Sequence, residues 1–149
     1  MSSVLEDITI DEALSEEDYQ QAYPVMKQLI PDLGEDIYNE RLFVAKATGY
    51  KMFVARLGKD IVGVIGVIHS HNLHDGFITF IEEIAVDEKH QGKGYGSMLL
   101  NFAEDRAREE GCNYLELDIE DNNKGVEDFY IRNGYTVSGK YLYKAIEAK

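Results

Sequence analysis

A chain of 149 residues is long enough to bury one core without disulfides or metals, so a single domain over residues 1–149 is expected. Hydrophobic residues at 44% and charged residues at 29% exclude the disordered, collagen-like and coiled-coil classes. Acidic residues outnumber basic ones 28 to 15, and the resulting formal charge of −13 repels phosphate backbones, which excludes nucleic acid as a partner. The same field suits cationic substrates such as amines, or serves solubility alone. Cys112 is the only cysteine, and the first residues carry neither a basic start nor a long apolar segment, so a cytoplasmic protein without disulfides is expected. The longest apolar run, Ile61 to Ile68, is too short to span a bilayer, and no membrane partner is expected.

In chain order, Ser15 followed by Glu16, Glu17 and Asp18 predicts a capped helix start, with Tyr19, Tyr23, Met26 and Ile30 at helical spacing and a kink or split at Pro24. A second helix is predicted by Ile37, Arg41, Leu42, Val44 and Ala45, ending near Thr48-Gly49. Met52 to Arg56 and Ile61 to Ile68, joined by Gly58-Lys59-Asp60, predict a hairpin. A polar stretch from Ser70 to Gly76 leads into Phe77 to Val86, a further strand pairing antiparallel with the one before it.

At Tyr95 the period changes to 3.6. Tyr95, Met98, Leu99, Phe102, Ala103 and Ala107 share one face of a long helix that Gly111 closes. Tyr114 to Ile119 alternates apolar with acidic residues, and a strand–helix–strand order implies a right-handed crossover with parallel pairing. Val126, Phe129 and Tyr130 mark a short helix ending at Asn133-Gly134. Tyr135 to Ile146 predicts a final strand or hairpin around Gly139, whose exposed edge offers a surface for a homodimer. The expected class is α/β, a mixed sheet with helices on both faces.

The segment Val86-Asp87-Glu88-Lys89-His90-Gln91-Gly92-Lys93-Gly94-Tyr95-Gly96 is a strand end followed by a glycine-rich turn that opens a helix. Glycines let the backbone take positive φ and approach a ligand, and the free N–H groups and dipole of a helix start favour a pyrophosphate. Lys89, His90 and Lys93 gather positive charge there in an otherwise acidic chain. The dinucleotide fingerprint would require glycine where Ser97 stands, and the Gly-Lys-Ser/Thr ending of a P-loop is absent.

Gln91-x-x-Gly94-x-Gly96 resembles the Gln/Arg-x-x-Gly-x-Gly/Ala hallmark of the GNAT family of N-acetyltransferases. The resemblance continues upstream in Ile81-Glu82-Glu83-Ile84-Ala85-Val86 and downstream in Asn123-x-x-Val126-x-x-Phe129-Tyr130-x-x-x-Gly134-Tyr135, so it spans about residues 50 to 145. Gln91 replaces the commoner arginine and Val126 a frequent alanine. The resemblance implies a GNAT fold whose largely antiparallel sheet splays between the fourth and fifth strands. It further implies acetyl-CoA as cosubstrate, with its pyrophosphate on Gln91, Gly92, Lys93, Gly94, Tyr95 and Gly96. The pantetheine arm is then expected along the backbone of Ile84, Ala85 and Val86, with Asn123 as a further cofactor contact.

Amine acetylation needs a neutral nucleophile, a polarised thioester carbonyl and a proton for the departing thiolate. Glu82 and Glu83 are the candidate bases, and the resemblance assigns the first to a water-linked base and the second to an amine contact. Strand alternation sends such neighbours to opposite faces unless a bulge intervenes. Tyr130 matches the family's usual tyrosine near the sulfur and is the candidate acid. The resemblance also implies that the backbone N–H near Val86 polarises the carbonyl, in a direct transfer through a tetrahedral intermediate with no acyl-enzyme.

His69, His71, His74 and Asp75 have spacing compatible with zinc, but a polar hairpin loop is the simpler reading, and no metal is expected. The acceptor, a small-molecule or peptide amine, is not encoded in any recognisable pattern. Two rival readings are a noncatalytic, regulatory coenzyme A-binding module and a binder of other pyrophosphate nucleotides.

Overall fold

Ser15 sets the start of the first element in the computed structural model, which describes residues 7–120 and 124–148. Its hydroxyl accepts from the Asp18 N–H at 3.1 Å, while the Asp18 carboxylate accepts from the N–H groups of Leu14 and Ser15, closing a capping box ahead of α1, Glu16–Leu29. The helix runs through Pro24 without splitting. The proline removes one intrahelical hydrogen bond, but its neighbours Ala22, Val25 and Met26 are 0%, 3% and 3% exposed, so tertiary burial outweighs the local defect. α2, Glu35–Ala47, is capped at Thr48 and followed by Gly49 at φ 101°.

The Asp18 carboxylate also meets Arg56 at 2.6 Å. Its pKa is held below the usual 3.8 by the Leu14 N–H first, then by Ser15 and Arg56, against the opposing effect of burial. We expect Asp18→Ala to lower the unfolding free energy by about 1–2 kcal/mol near neutral pH, the usual range for losing a helix cap. Because the folded pKa is depressed, this stabilisation is complete above the unfolded value and is lost as pH falls through the folded one. Urea unfolding of both proteins should therefore converge in strong acid.

The sheet has the order β1-β2-β3-β4-β5, with β1 at Ile8–Glu12, β2 at Lys51–Leu57, β3 at Asp60–Asn72, β4 at Gly76–Val86 and β5 at Tyr114–Leu117. All neighbours pair antiparallel except β4 and β5, which are parallel. β1 is an edge strand that the sequence reading passed over, although Ile8 and Ile10 alternate toward the interior. β3 and β4 extend farther than their apolar cores, with His71↔Phe77 and Asn72↔Gly76 still in register, so only Leu73–Asp75 lies between them.

α1 and α2 cover one sheet face, where Ala22, Val25, Met26, Tyr38 and Leu42 pack with Tyr50, Met52, Val54 and Val64. α3, Tyr95–Glu109, covers the other. There the Phe53 and Phe102 rings lie 5.0 Å apart, and a Cβ on Gly63 would stand 3.0 Å from Leu99 Cδ1.

The described residues form two compact units that part after Leu117. The second contains α4, Lys124–Arg132, closed by Gly134 at φ 91°. The expected final strand or hairpin is not found: residues 135–148 pair with no strand among the described residues. Tyr141 and Tyr143 do stack as i, i+2 neighbours, with centroids 6.5 Å apart, but both are exposed, and alternation without a partner ladder does not make a strand. The strand edge expected to support a homodimer is therefore absent from this segment.

Candidate active site

β4 leads directly into the glycine turn. Val86 ends the strand, a 3-10 turn follows at Glu88–His90, and Gly92 and Gly94 then take φ of 80° and 87° before α3 begins. A side chain of α1 holds this junction. Gln28 donates to the Asp87 carboxylate at 2.7 Å and accepts from the Glu88 N–H at 2.9 Å, and His90 bonds the other Asp87 oxygen at 2.9 Å. Asp87 is consequently held below the usual carboxylate range, by Gln28 first and His90 second.

Beyond His90 the protein leaves the backbone open. Gly94 is the N-cap residue of α3 and provides no side-chain cap. The Gln91 and Lys93 N–H groups fall within the 3-10 turn and the turn after it, whereas among the described residues no acceptor meets the main-chain N–H groups of Gly92, Gly94 or Gly96. Gln91 turns its side chain back to the Val86 carbonyl at 3.2 Å, and Tyr95 is 6% exposed, so its side chain belongs to the core. The turn thus presents backbone donors, with exposed Lys93 beside them.

The β4 edge is also half open. Pairing with β5 covers Ile78 to Ile81 and stops, whereas pairing with β3 continues through Ile84, Ala85 and Val86. Glu82 to Val86 thus face no strand on the β5 side among the described residues, which corresponds to the splay between the fourth and fifth strands.

The acidic pair sits where the two modes of pairing change. Gly66 opposes Glu83 and Val67 opposes Ile81, which leaves Glu82 as an extra residue in a bulge. Directly opposed residues share a face. Ile81 therefore lies on the α3 face with Val67, and Glu83 on the α1/α2 face with Gly66. Glu83 accepts from the Tyr50 hydroxyl at 2.5 Å. Burial pushes the Glu83 carboxyl up, Tyr50 opposes this, and the negative charge of Glu82 adds to the rise. Burial, followed by Glu83, drives the Tyr50 phenol far above its ordinary range.

The sequence model of the Acetyltransferase (GNAT) family matches residues 12–135. The chain belongs to this family. It is 27% identical over 139 residues to the uncharacterised N-acetyltransferase YhdJ of Bacillus subtilis (strain 168), covering 92% of this chain and 97% of that one. Among solved structures, a Bacillus halodurans C-125 protein described as a transcriptional regulator is 25% identical, with a TM-score of 0.83 over 94% of this chain and 100% of that one. The aminoglycoside N-acetyltransferase AAC(6')-Iy in complex with CoA shares 14% identity and a TM-score of 0.83 over 99% and 100% of the two chains, a likeness of fold alone.

In this GNAT chain, the first unit contains both the glycine turn and the acidic pair. Tyr130 lies in the second, on α4, its ring 5.2 Å from Phe129 and 5.6 Å from Tyr135; burial raises its pKa above 10. Asn123 falls outside the described residues. Of the histidines expected in a hairpin loop, His69 and His71 instead lie in β3, because its pairing with β4 runs on to Asn72, and only His74 is in the loop. His69 meets Glu110, His74 meets Asp75, and the rings of His69 and His71 both meet Phe77, His71 stacking on it at 4.4 Å. Ligand atoms of His69, Glu110 and Cys112 lie within 4.8 Å of one another, but Glu110 also bonds Arg106 at 3.0 Å and Cys112 bonds Thr79 at 3.2 Å. Sequence reading missed Tyr50 and Gln28, since an isolated tyrosine and an exposed glutamine carry no pattern.

Proposed function

We propose that the protein is an N-acetyltransferase, acting as one domain over residues 1–149, that moves an acetyl group from acetyl-CoA to a primary amine by direct transfer. The observation that carries this reading is the set of backbone donors at Gly92, Gly94 and Gly96 with no acceptor among the described residues, set by two positive-φ glycines at the start of a long helix. Such a start suits a pyrophosphate. The half-open edge at Ile84, Ala85 and Val86 suits an extended pantetheine arm, which can hydrogen-bond as an added strand.

Balance defines the roles of the side chains. A carbon–nitrogen bond forms to the acetyl carbon and the carbon–sulfur bond breaks. Glu82, through ordered water, takes the proton that the amine gives up, and Glu83 contacts the amine. Tyr130 supplies a proton to the departing sulfur. Because a phenol is a weaker acid than a thiol, and burial weakens this one further, the proton moves only as charge gathers on the sulfur. Tyr130→Phe is expected to lower kcat about 100-fold or more, the scale of a general acid, while coenzyme A binds as before. Equal loss of binding and turnover would remove Tyr130 from the chemistry.

The acidic pair and the charge of −13 favour a cationic acceptor. Two experiments test the whole reading. Calorimetric titration with coenzyme A, ADP and NAD should show coenzyme A binding best. Acetyl-CoA consumption across spermidine, kanamycin, a peptide with a free N-terminus and a lysine-containing peptide should show turnover with at least one. The likeness to a protein described as a transcriptional regulator favours a second reading, a noncatalytic coenzyme A-binding module. Binding without turnover on any amine would support that reading.

A further inference from the structure

Four tyrosines pack on the α1/α2 face, and three direct their hydroxyls to main-chain carbonyls: Tyr19 to Ala13 at 2.6 Å, Tyr23 to Leu33 at 2.6 Å and Tyr38 to Tyr19 at 2.7 Å. Those bonds fasten helices and loops. Tyr50 differs: it is 9% exposed and gives its hydroxyl to the Glu83 carboxylate at 2.5 Å. Gly66, opposite Glu83 in the ladder, leaves the space that the pair fills, since a Cβ there would overlap both Tyr50 Oη and Glu83 Oε1. We infer that Tyr50 is a positioning residue that holds Glu83 ionised and directed toward the acceptor amine. The inference rests on the acetyl-transfer reading of the acidic pair and adds to it the residue that sets its protonation.

The physical need is specific. A carboxylate out of water drifts toward its neutral form, and a second carboxylate beside it drives it further. The ionisable groups facing Glu83 are Tyr50, Tyr38 from α2 and Glu82 from its own strand, with Tyr19 of α1 acting on Tyr38. Among these, Tyr50 alone is recorded as donating a hydrogen bond to Glu83. A donor to the charged form lowers the carboxyl pKa, so removing it must raise that pKa.

The test titrates the Glu83 carboxyl by carbon-13 NMR in the parent protein and in Tyr50→Phe, alongside kcat/KM against pH with the best acceptor among spermidine, kanamycin and the two peptides. The carboxyl midpoint is expected to rise by about 1–2 pH units in Tyr50→Phe. The acid limb of kcat/KM should rise with it, so that at pH below the parent midpoint transfer falls about 10- to 100-fold and recovers at higher pH, while coenzyme A affinity stays constant. 3-Fluorotyrosine at position 50 keeps the packing and strengthens the donor, and should move the limb down. An unmoved carboxyl midpoint in both variants overturns the inference. A midpoint that moves while the rate profile stays fixed shows instead that Glu83 does not take part in transfer, and overturns the reading on which the inference rests.

Discussion

Replacing Gly66 with alanine is expected to remove most of the acetyl transfer while lowering the unfolding free energy by only about 1–3 kcal/mol, the usual range for overpacking. Two effects of opposite sign meet at this position. Gly66 lies in an extended strand without positive φ, so alanine loses less chain entropy on folding, a gain of about 0.4–1 kcal/mol. Against this, the added Cβ would stand 2.5 Å from Tyr50 Cζ and closer still to the hydroxyl and to Glu83 Oε1. The carboxylate has torsions with which to swing aside, but the tyrosine ring is enclosed. The pair must separate, leaving a half-buried carboxylate without its donor. Gly63→Ala is the control, because its Cβ would press on Leu99 Cδ1 from the opposite face of the sheet. Urea unfolding with kcat on both variants should show two destabilised proteins, of which only Gly66→Ala has lost turnover per folded molecule. A Gly66→Ala protein with full activity would show that the Tyr50–Glu83 contact plays no part in transfer.

How legible this was depends on whether the signal is local. α3 follows from apolar positions at period 3.6, and the hairpin of β2 and β3 from two apolar runs around Gly58, since both depend on neighbours in sequence. The turn after β4 was legible for the same reason: two glycines bring the positive φ with them. β1 was missed because an edge strand buries only alternate residues and shows half a pattern. Pro24 pointed to a split that packing overrides. The bulge at Glu82 exists only in the register of β4 against β3, and no reading of β4 alone reveals it. Tyr50 and Gln28 act across 33 and 60 residues, on Glu83 and on the Glu88 N–H, and such partners are invisible until the sheet is assembled.

Gly94→Ala and Gly92→Ala are expected to weaken coenzyme A binding by about 10- to 100-fold, or ~1.4–2.8 kcal/mol, with little unfolding of the free protein. At both positions an added Cβ would meet nothing within 4 Å, so the free protein has no steric objection. The cost there is the positive φ, about 1–2 kcal/mol for a residue with a Cβ. The chain can relieve that strain by rotating the peptide planes, and rotation re-aims the N–H groups of the turn. Affinity for a pyrophosphate then falls, because donors that converge before binding need no reordering during it. Gly111 separates strain from function: its φ of 81° nearly equals that of Gly92, its Cβ would also meet nothing within 4 Å, and it follows the opposite end of α3. Thermal unfolding should place all three variants together, whereas calorimetry should place Gly111→Ala with the parent. If all three bind coenzyme A as the parent does, the turn before α3 is a structural connection, and the pyrophosphate has to be held elsewhere.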